Sequence, residues 1–281
     1  MDSIIDYFAH ISSRDRSLIL AGGIAFFWLI ESAVPLFHFS YRKWRHAGIN
    51  LFFTLTTILV NFTLAFILLR ISELAAGLEL GLLPRLGALP AAVRTLIGLL
   101  GLDLIGAFAI HWLQHRVRPL WQFHLIHHSD ICVDTTSANR HHPGESVFRF
   151  LATVAAVVII GAPMWMVMMY QALSVVTSQF NHANIRLPER LDRVLSLLIV
   201  TPNMHHVHHH YLLPQTDTNY GNIFSIWDRL FGTFAWMRQE DIRYGIDTYP
   251  NPREHSRLSA LLMIPFRPYR PPTGGKFESS R

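Results

Sequence analysis

The stretch FRFLATVAAVVIIGAPMWMVMMYQALSVVTSQF, residues 148–180, decides the fold. As one helix, it would carry everything after it to the far side of a membrane. As two helices folded at Gly161-Ala162-Pro163, it returns the chain to the side it left. Gly and Pro together mark a turn. At ~1.5 Å per residue the halves are roughly 20–25 Å long, short of a bilayer crossing. The hairpin is adopted for a further reason: histidines lie on both sides of the stretch, and the hairpin lets them meet.

Outward from this stretch the chain stays apolar. Of 281 residues 51% are hydrophobic and 15% charged, where a soluble domain carries about a quarter charged. Residues 18–39, 49–69 and 95–113 each match the ~20 residues that span a bilayer core. The first seventeen residues carry acids as well as bases and no cleavage site, so the first block reads as a retained span. The expected fold is an all-α integral membrane bundle, three spans plus a re-entrant helical hairpin, with a histidine-rich cap.

Charge orients it. Tyr41-Arg42-Lys43-Trp44-Arg45-His46 is a strongly basic loop and faces the cytoplasm. In residues 70–94 Arg70, Glu73, Glu79, Arg85 and Arg94 nearly cancel, so that loop faces outward. The third span returns inward, followed by Arg116, Arg118 and Arg140. The histidine cap is therefore expected on the cytoplasmic side, of the inner membrane in a bacterium or the endoplasmic reticulum in a eukaryote. The net charge of +5 follows from bases flanking apolar blocks, as beside anionic lipid, and no nucleic-acid motif accompanies it. One cysteine, Cys132, excludes an intrachain disulfide and a thiolate-rich metal site. The chain divides into N-terminal spans (1–95), a histidine-rich domain (96–240) and a Pro- and Arg-rich tail (241–281) expected as loop. Residues 187–200 read as an interfacial helix.

Seventeen histidines stand out, thirteen of them between His111 and His210. His111 and His115 are spaced i, i+4; His124, His127 and His128 are spaced i, i+3, i+4, and so are His205, His208 and His209. Each set falls on one helix face. His141 and His142 lie in a loop, and His182 follows the hairpin. Burying so many imidazoles beside a bilayer costs free energy unless each has a partner, and a metal is such a partner. A lone histidine would read as a hydrogen-bonded surface residue. Imidazole suits Zn, Cu, Fe and Ni. More than eight candidate ligands in paired clusters point to two ions. The Glu-x-x-His pairs of ferritin-like bundles and the His-Glu-x-x-His of zinc proteases are absent. Asp134 and Asp217 are candidate acids for orienting the rings.

The boxes His-x3-His, His-x2-His-His and His-x2-His-His, in that order, resemble the fatty acid hydroxylase / sterol desaturase superfamily. So do the words around them: residues 118–124 (RPLWQFH), 139–145 (NRHHPGE) and 219–233 (NYGNIFSIWDRLFGT). The likeness covers about 103–235. It implies a membrane oxidoreductase with two iron ions that uses dioxygen and an external electron donor to hydroxylate or desaturate a lipid. It places metal ligands at His111, His115, His124, His127, His128, His205, His208 and His209, with His142 and His182 as additional ones. His206 and His210 depart from the pattern and leave a second register open, His206, His209 and His210. The first is preferred because Thr201-Pro202 stands just ahead of the box. His141 is expected as a neighbour.

The chain also resembles alkylglycerol monooxygenases, which implies ether-lipid cleavage with a pterin reductant. A metal transporter would hold its ligands near the membrane midplane, whereas these sit at span ends. A zinc hydrolase would work without oxygen. His142-Pro143-Gly144 matches a haem word of cytochrome b5, but no separate module accompanies it, so electrons come from a redox partner or a diffusible reductant. Asp103, inside the third span, divides evenly between a functional group and a polar seam. Glu31 is expected to be structural. Trp112, Trp121, Trp165, Trp227 and Trp236 are expected as interfacial aromatics.

Overall fold

The computed structural model describes residues 1–273. Among the described residues the regular structure is helical, with isolated bridges and no strand. Helix α1 (Asp2–Ala9) precedes α2 (Ser13–Ala33), which Ser12 caps by accepting from the Asp15 amide. Helix α3 (Lys43–Gly77) is 35 residues, roughly 52 Å, and outruns a ~30 Å hydrocarbon core. The basic residues expected in a loop, Lys43 to His46, form its first turn instead. Next come α4 (Ala91–Asp103), a π-helical turn (Leu104–Ala109) and α5 (Ile110–Arg116), one continuous rod of 26 residues.

Helix α6 (Arg118–His128) turns off that rod at the extended residue Val117. The hairpin follows as α7 (Pro143–Ile160) and α8 (Met164–His182). Its arms of 18 and 19 residues are roughly 27 and 28 Å, longer than the sequence suggests. Four helices are long and apolar enough to cross a membrane: α2, α3, the α4–α5 rod and α7. At the hairpin tip Gly161 adopts φ +71° and its amide bonds back to the Val157 carbonyl at 2.8 Å. Gly81 (φ +97°) lies directly against it; a Cβ on Gly81 would collide with the Gly161 backbone, and one on Gly161 with the Leu80 carbonyl.

The cap is built of short pieces: α9 (Glu189–Leu195), α10 (Pro202–His208), α11 (Ile226–Leu230), α12 (Pro252–His255) and α13 (Leu258–Met263). The expected 187–200 helix is thus confined to seven residues. The 241–281 segment also differs from a loose tail. Leu261 and Ile264 are fully buried and pack with Phe53, Trp121, Leu125 and Ile126, because two helical turns of apolar sequence find a groove beside α6. Residues 274–281 lie outside the described residues. A second core joins Leu102 to Ala156, Val157, Met166 and Val167 and locks the hairpin to the α4–α5 rod. The outer faces of the long helices stay bare, with Phe62 on α3 79% exposed. The molecule is an all-α membrane protein.

Candidate metal centre

Three short elements deliver the ligand-spaced histidines. The end of the third rod brings His111 and His115; α6, started by Pro119, brings His124, His127 and His128. Helix α10, with Thr201 accepting from the Met204 amide, brings His205 and His208, and His209 is its C-cap. The hairpin returns His182 to the same place.

These nine histidines form two buried groups. His111, His115, His124, His128 and His208 make one; His127, His182, His205 and His209 make the other. In each, one ring nitrogen per residue lies within 4.8 Å of all the others. The groups adjoin, with ring centroids 4.8 Å apart between His128 and His209 and 5.2 Å apart between His124 and His127.

The ring protons show what the groups require. His111 Nδ1 donates to the Tyr220 carbonyl at 2.8 Å, His208 Nδ1 to the Thr218 carbonyl at 2.6 Å and His182 Nδ1 to the Ser178 carbonyl at 2.7 Å. A carbonyl can only accept, so each Nε2 carries a bare lone pair. His124 Nδ1 donates to Glu145 at 2.8 Å, and its Nε2 then faces His111 Nε2 at 3.0 Å, lone pair against lone pair. In the second group His182 Nε2 lies 3.1 Å from His127 Nε2 and 3.0 Å from His205 Nε2. A proton would relieve such contacts, but burial opposes it. It pushes His124 down to about 4 despite Glu145, and holds His127, His128, His205, His208 and His209 well below the ordinary imidazole value.

Further buried nitrogens lack a hydrogen-bond partner: His115 Nε2, His208 Nε2 and both nitrogens of His128. Each such atom costs about 1–3 kcal/mol unless something binds it. Two cations, one in each group, satisfy all of this, so the donor set fits metal.

The Nδ1 partners form an outer layer. Asp217 Oδ1 lies 3.3 Å from His115 Nδ1, as the sequence suggests. Asp134 sits elsewhere, accepting from Tyr41 Oη and capping the 135–139 turn. Glu145 takes the role instead. It is fully buried, its Oε1 accepts from His124 and from Gln114 Nε2 at 2.9 Å, and His141 Nδ1 lies 3.0 Å from the same oxygen. The i, i+4 spacing of His141 and Glu145 across the start of α7 was the signal for it in the sequence.

His142 differs from expectation. Its Nδ1 accepts from the Gly144 amide at 2.9 Å and caps α7, its ring packs on Phe123 and Phe266, and it joins neither group. Its neighbour His141 takes the inward place, stacked on His127 at 4.6 Å. The third box is brought in as His205, His208 and His209. His206 turns to Tyr244, and His210 Nδ1 accepts from the Arg243 amide. Trp121, expected at an interface, is buried and packs on His115 at 4.8 Å and His128 at 5.3 Å. Asp103 forms a polar seam, described below, and Glu31 ties two loops by accepting from the Thr135 and Asn184 amides. A small cavity touches both groups, lined also by Ala107, Arg149, Ser178, Tyr220 and Asn222.

Comparison with known proteins gives a family for the segment that carries these histidines. Residues 95–233 match the family model "Fatty acid hydroxylase". The chain is 30% identical over 145 residues to an ornithine lipid hydroxylase of Rhizobium tropici, covering 52% of this chain and 43% of that protein. It is 29% identical over 161 residues to the alkylglycerol monooxygenase of Homo sapiens, covering 54% and 32%. It is 28% identical over 159 residues to a cholesterol 25-hydroxylase-like protein of Danio rerio, covering 53% and 56%. The chain thus spans a third to about half the length of these relatives. No solved structure matches significantly. Residues 95–233, the segment that carries all nine clustered histidines, are a fatty acid hydroxylase domain.

Proposed function

We propose that this protein is a membrane oxidoreductase that holds two iron ions in its paired histidine groups and uses dioxygen to hydroxylate a C–H bond of a lipid. The observation that carries the metal reading is the facing Nε2 atoms of His111 and His124, 3.0 Å apart, whose ring protons are already committed to the Tyr220 carbonyl and to Glu145. The ligands are His111, His115, His124, His128 and His208 in one group, and His127, His182, His205 and His209 in the other. Bound iron would supply redox activation of dioxygen, with electrons from a separate donor. The lipid reading draws on relatives named as lipid hydroxylases and monooxygenases and on the bare apolar flanks of the bundle.

The chain's own residues do the rest. Glu145 and Asp217 orient His124 and His115 by their Nδ1 protons and place negative charge beside one group, which raises the basicity of those rings. Carbonyls of Ser178, Thr218 and Tyr220 orient His182, His208 and His111. Burial of every ligand keeps bulk water from the cavity, which Ala107 and Gly221 also line. The histidine cap faces the cytoplasm, on the side of the basic residues 42–45.

A second reading, cleavage of an ether lipid, draws on the alkylglycerol monooxygenase relatives. Two measurements test the proposal. Protein purified without chelator should contain iron at two ions per chain, and lipid extracts of cells expressing it should gain a hydroxylated species that requires oxygen. Iron-free active protein, or loss of alkylglycerol instead, would overturn the first reading.

A further inference from the structure

We propose that residues 223–231 of the cap are sunk into the bilayer, where α11 and the turn after α9 present one apolar face to phospholipid acyl chains. The third rod serves as a ruler. Asp103 lies thirteen residues before Arg116, roughly 20 Å along the helix, and Phe108 lies eight before it, roughly 12 Å. Cap residues reach both levels. Asp103 accepts from the Ile223 amide at 3.3 Å, the Phe224 amide at 3.2 Å and Trp227 Nε1 at 3.1 Å, and Phe231 stacks on Phe108 with centroids 5.2 Å apart. The hairpin gives an independent ruler. Tyr170 Oη donates to Asp103 at 3.4 Å, and Tyr170 lies twelve residues before His182, roughly 18 Å from the histidine level. Both put the segment well inside a ~30 Å hydrocarbon layer.

Irregular backbone survives at that depth where protein groups take its hydrogen bonds. Here they do. Asp103 takes two amides, Asp228 accepts from the Tyr220 and Gly221 amides at 2.7 and 2.8 Å, and the Val200 amide bonds to the Ile223 carbonyl at 3.0 Å. The opposite side is open and apolar apart from Arg229, whose guanidinium donates to the Ser196 carbonyl at 2.9 Å and lies over the Phe234 ring. Leu198 is 75% exposed and Leu230 67%, beside exposed Val194, Leu197, Ile226 and Phe231. Phe231 joins this patch to the third span, so lipid that bathes the span also bathes the patch. Residues Tyr220, Gly221 and Asn222, which lead directly into the segment, line the cavity that touches both histidine groups. The segment therefore stands between the acyl chains and the cavity. That last consequence rests on the lipid-oxidation reading; immersion itself does not.

Spin-label depth in phospholipid nanodiscs tests it. In a Cys132→Ser background, nitroxides at Leu198→Cys and Leu230→Cys should be relaxed strongly by oxygen and weakly by a water-soluble nickel chelate. A label at Glu240→Cys, whose side chain is 70% exposed at the polar edge of the cap, should show the reverse. Nickel accessibility at 198 and 230 equal to that at 240 would overturn the proposal and leave a soluble protein as the occupant of the patch. The unsubstituted chain gives a second readout. Phosphatidylcholine with a diazirine on its acyl chain should label the peptide containing Leu230 and Phe231 alongside the spans; labelling of the spans alone would overturn it. Neither readout uses enzymatic activity, so failure here leaves the oxidase reading standing, and failure of that reading leaves immersion standing.

Discussion

At the scale of single residues, the centre separates rings that bind from groups that aim them. His127 belongs to the four-histidine group, with its Nε2 3.1 Å from that of His182. His127→Ala should lower iron from about two ions to roughly one per chain, since a group with three of its four ligands binds far more weakly, and abolish turnover without impairing membrane insertion. Metal analysis of the purified variant checks this, with His206→Ala, which faces Tyr244, as the control that keeps its metal. Glu145→Gln keeps the shape of the side chain but removes the charge behind His124 and His141. It should weaken metal at the five-histidine group by about 10–100-fold, as lost outer partners do, while the four-histidine group is unchanged. Chelator competition read by iron spectroscopy separates the two.

The same residues set a pH dependence. Buried histidines with lowered values bind fewer protons folded than unfolded, so stability is full above the unfolded value and falls as pH drops. For His124 the window runs from ~6.5, the free imidazole value, down to about 4. Protons also compete with metal for each ring. Metal content measured between pH 7 and pH 4 should fall through this window, and full retention at pH 4 would contradict an all-histidine site.

At the scale of elements, register matters most. The π-helical turn Leu104–Ala109 sits one residue before α5 and sets the face on which His111 and His115 emerge. Deleting Gly106 would rotate both by about 100° about the rod. Metal bound by the five-histidine group should be lost while the span still inserts, measured by metal content against membrane fractionation. The hairpin tip has its own requirement. Gly161 is left-handed and touches the Leu80 carbonyl and Gly81. Gly161→Val should destabilise by ~1–2 kcal/mol from the backbone alone, with more from the collision, seen as a lowered thermal midpoint in detergent.

At the scale of the whole molecule, the spans, the hairpin and the cap close on one buried centre. Removing metal restores the unpartnered ring nitrogens and their cost, so the iron-free protein should unfold at a lower temperature than the loaded one, and added iron should reverse the change. Lipid profiles of cells with and without the gene would name the substrate.

The sequence by itself determined what is local: apolar runs long enough to span, Gly-Ala-Pro as a fold-back, and histidines spaced to share a helix face. These follow from helix periodicity and backbone preference, which need no distant partner. The tertiary structure alone decided which rings meet. His141 and His142 are adjacent and chemically identical, yet one stacks on His127 and the other caps a helix. Asp134 and Glu145 are both loop-side acids, yet Glu145 reaches His124. The apolar residues Leu261 and Ile264 of an apparent tail found a groove on α6. Such choices depend on which surfaces α6, α7 and α10 bury against one another. That is a packing outcome between residues far apart in the chain, and no spacing within one segment encodes it.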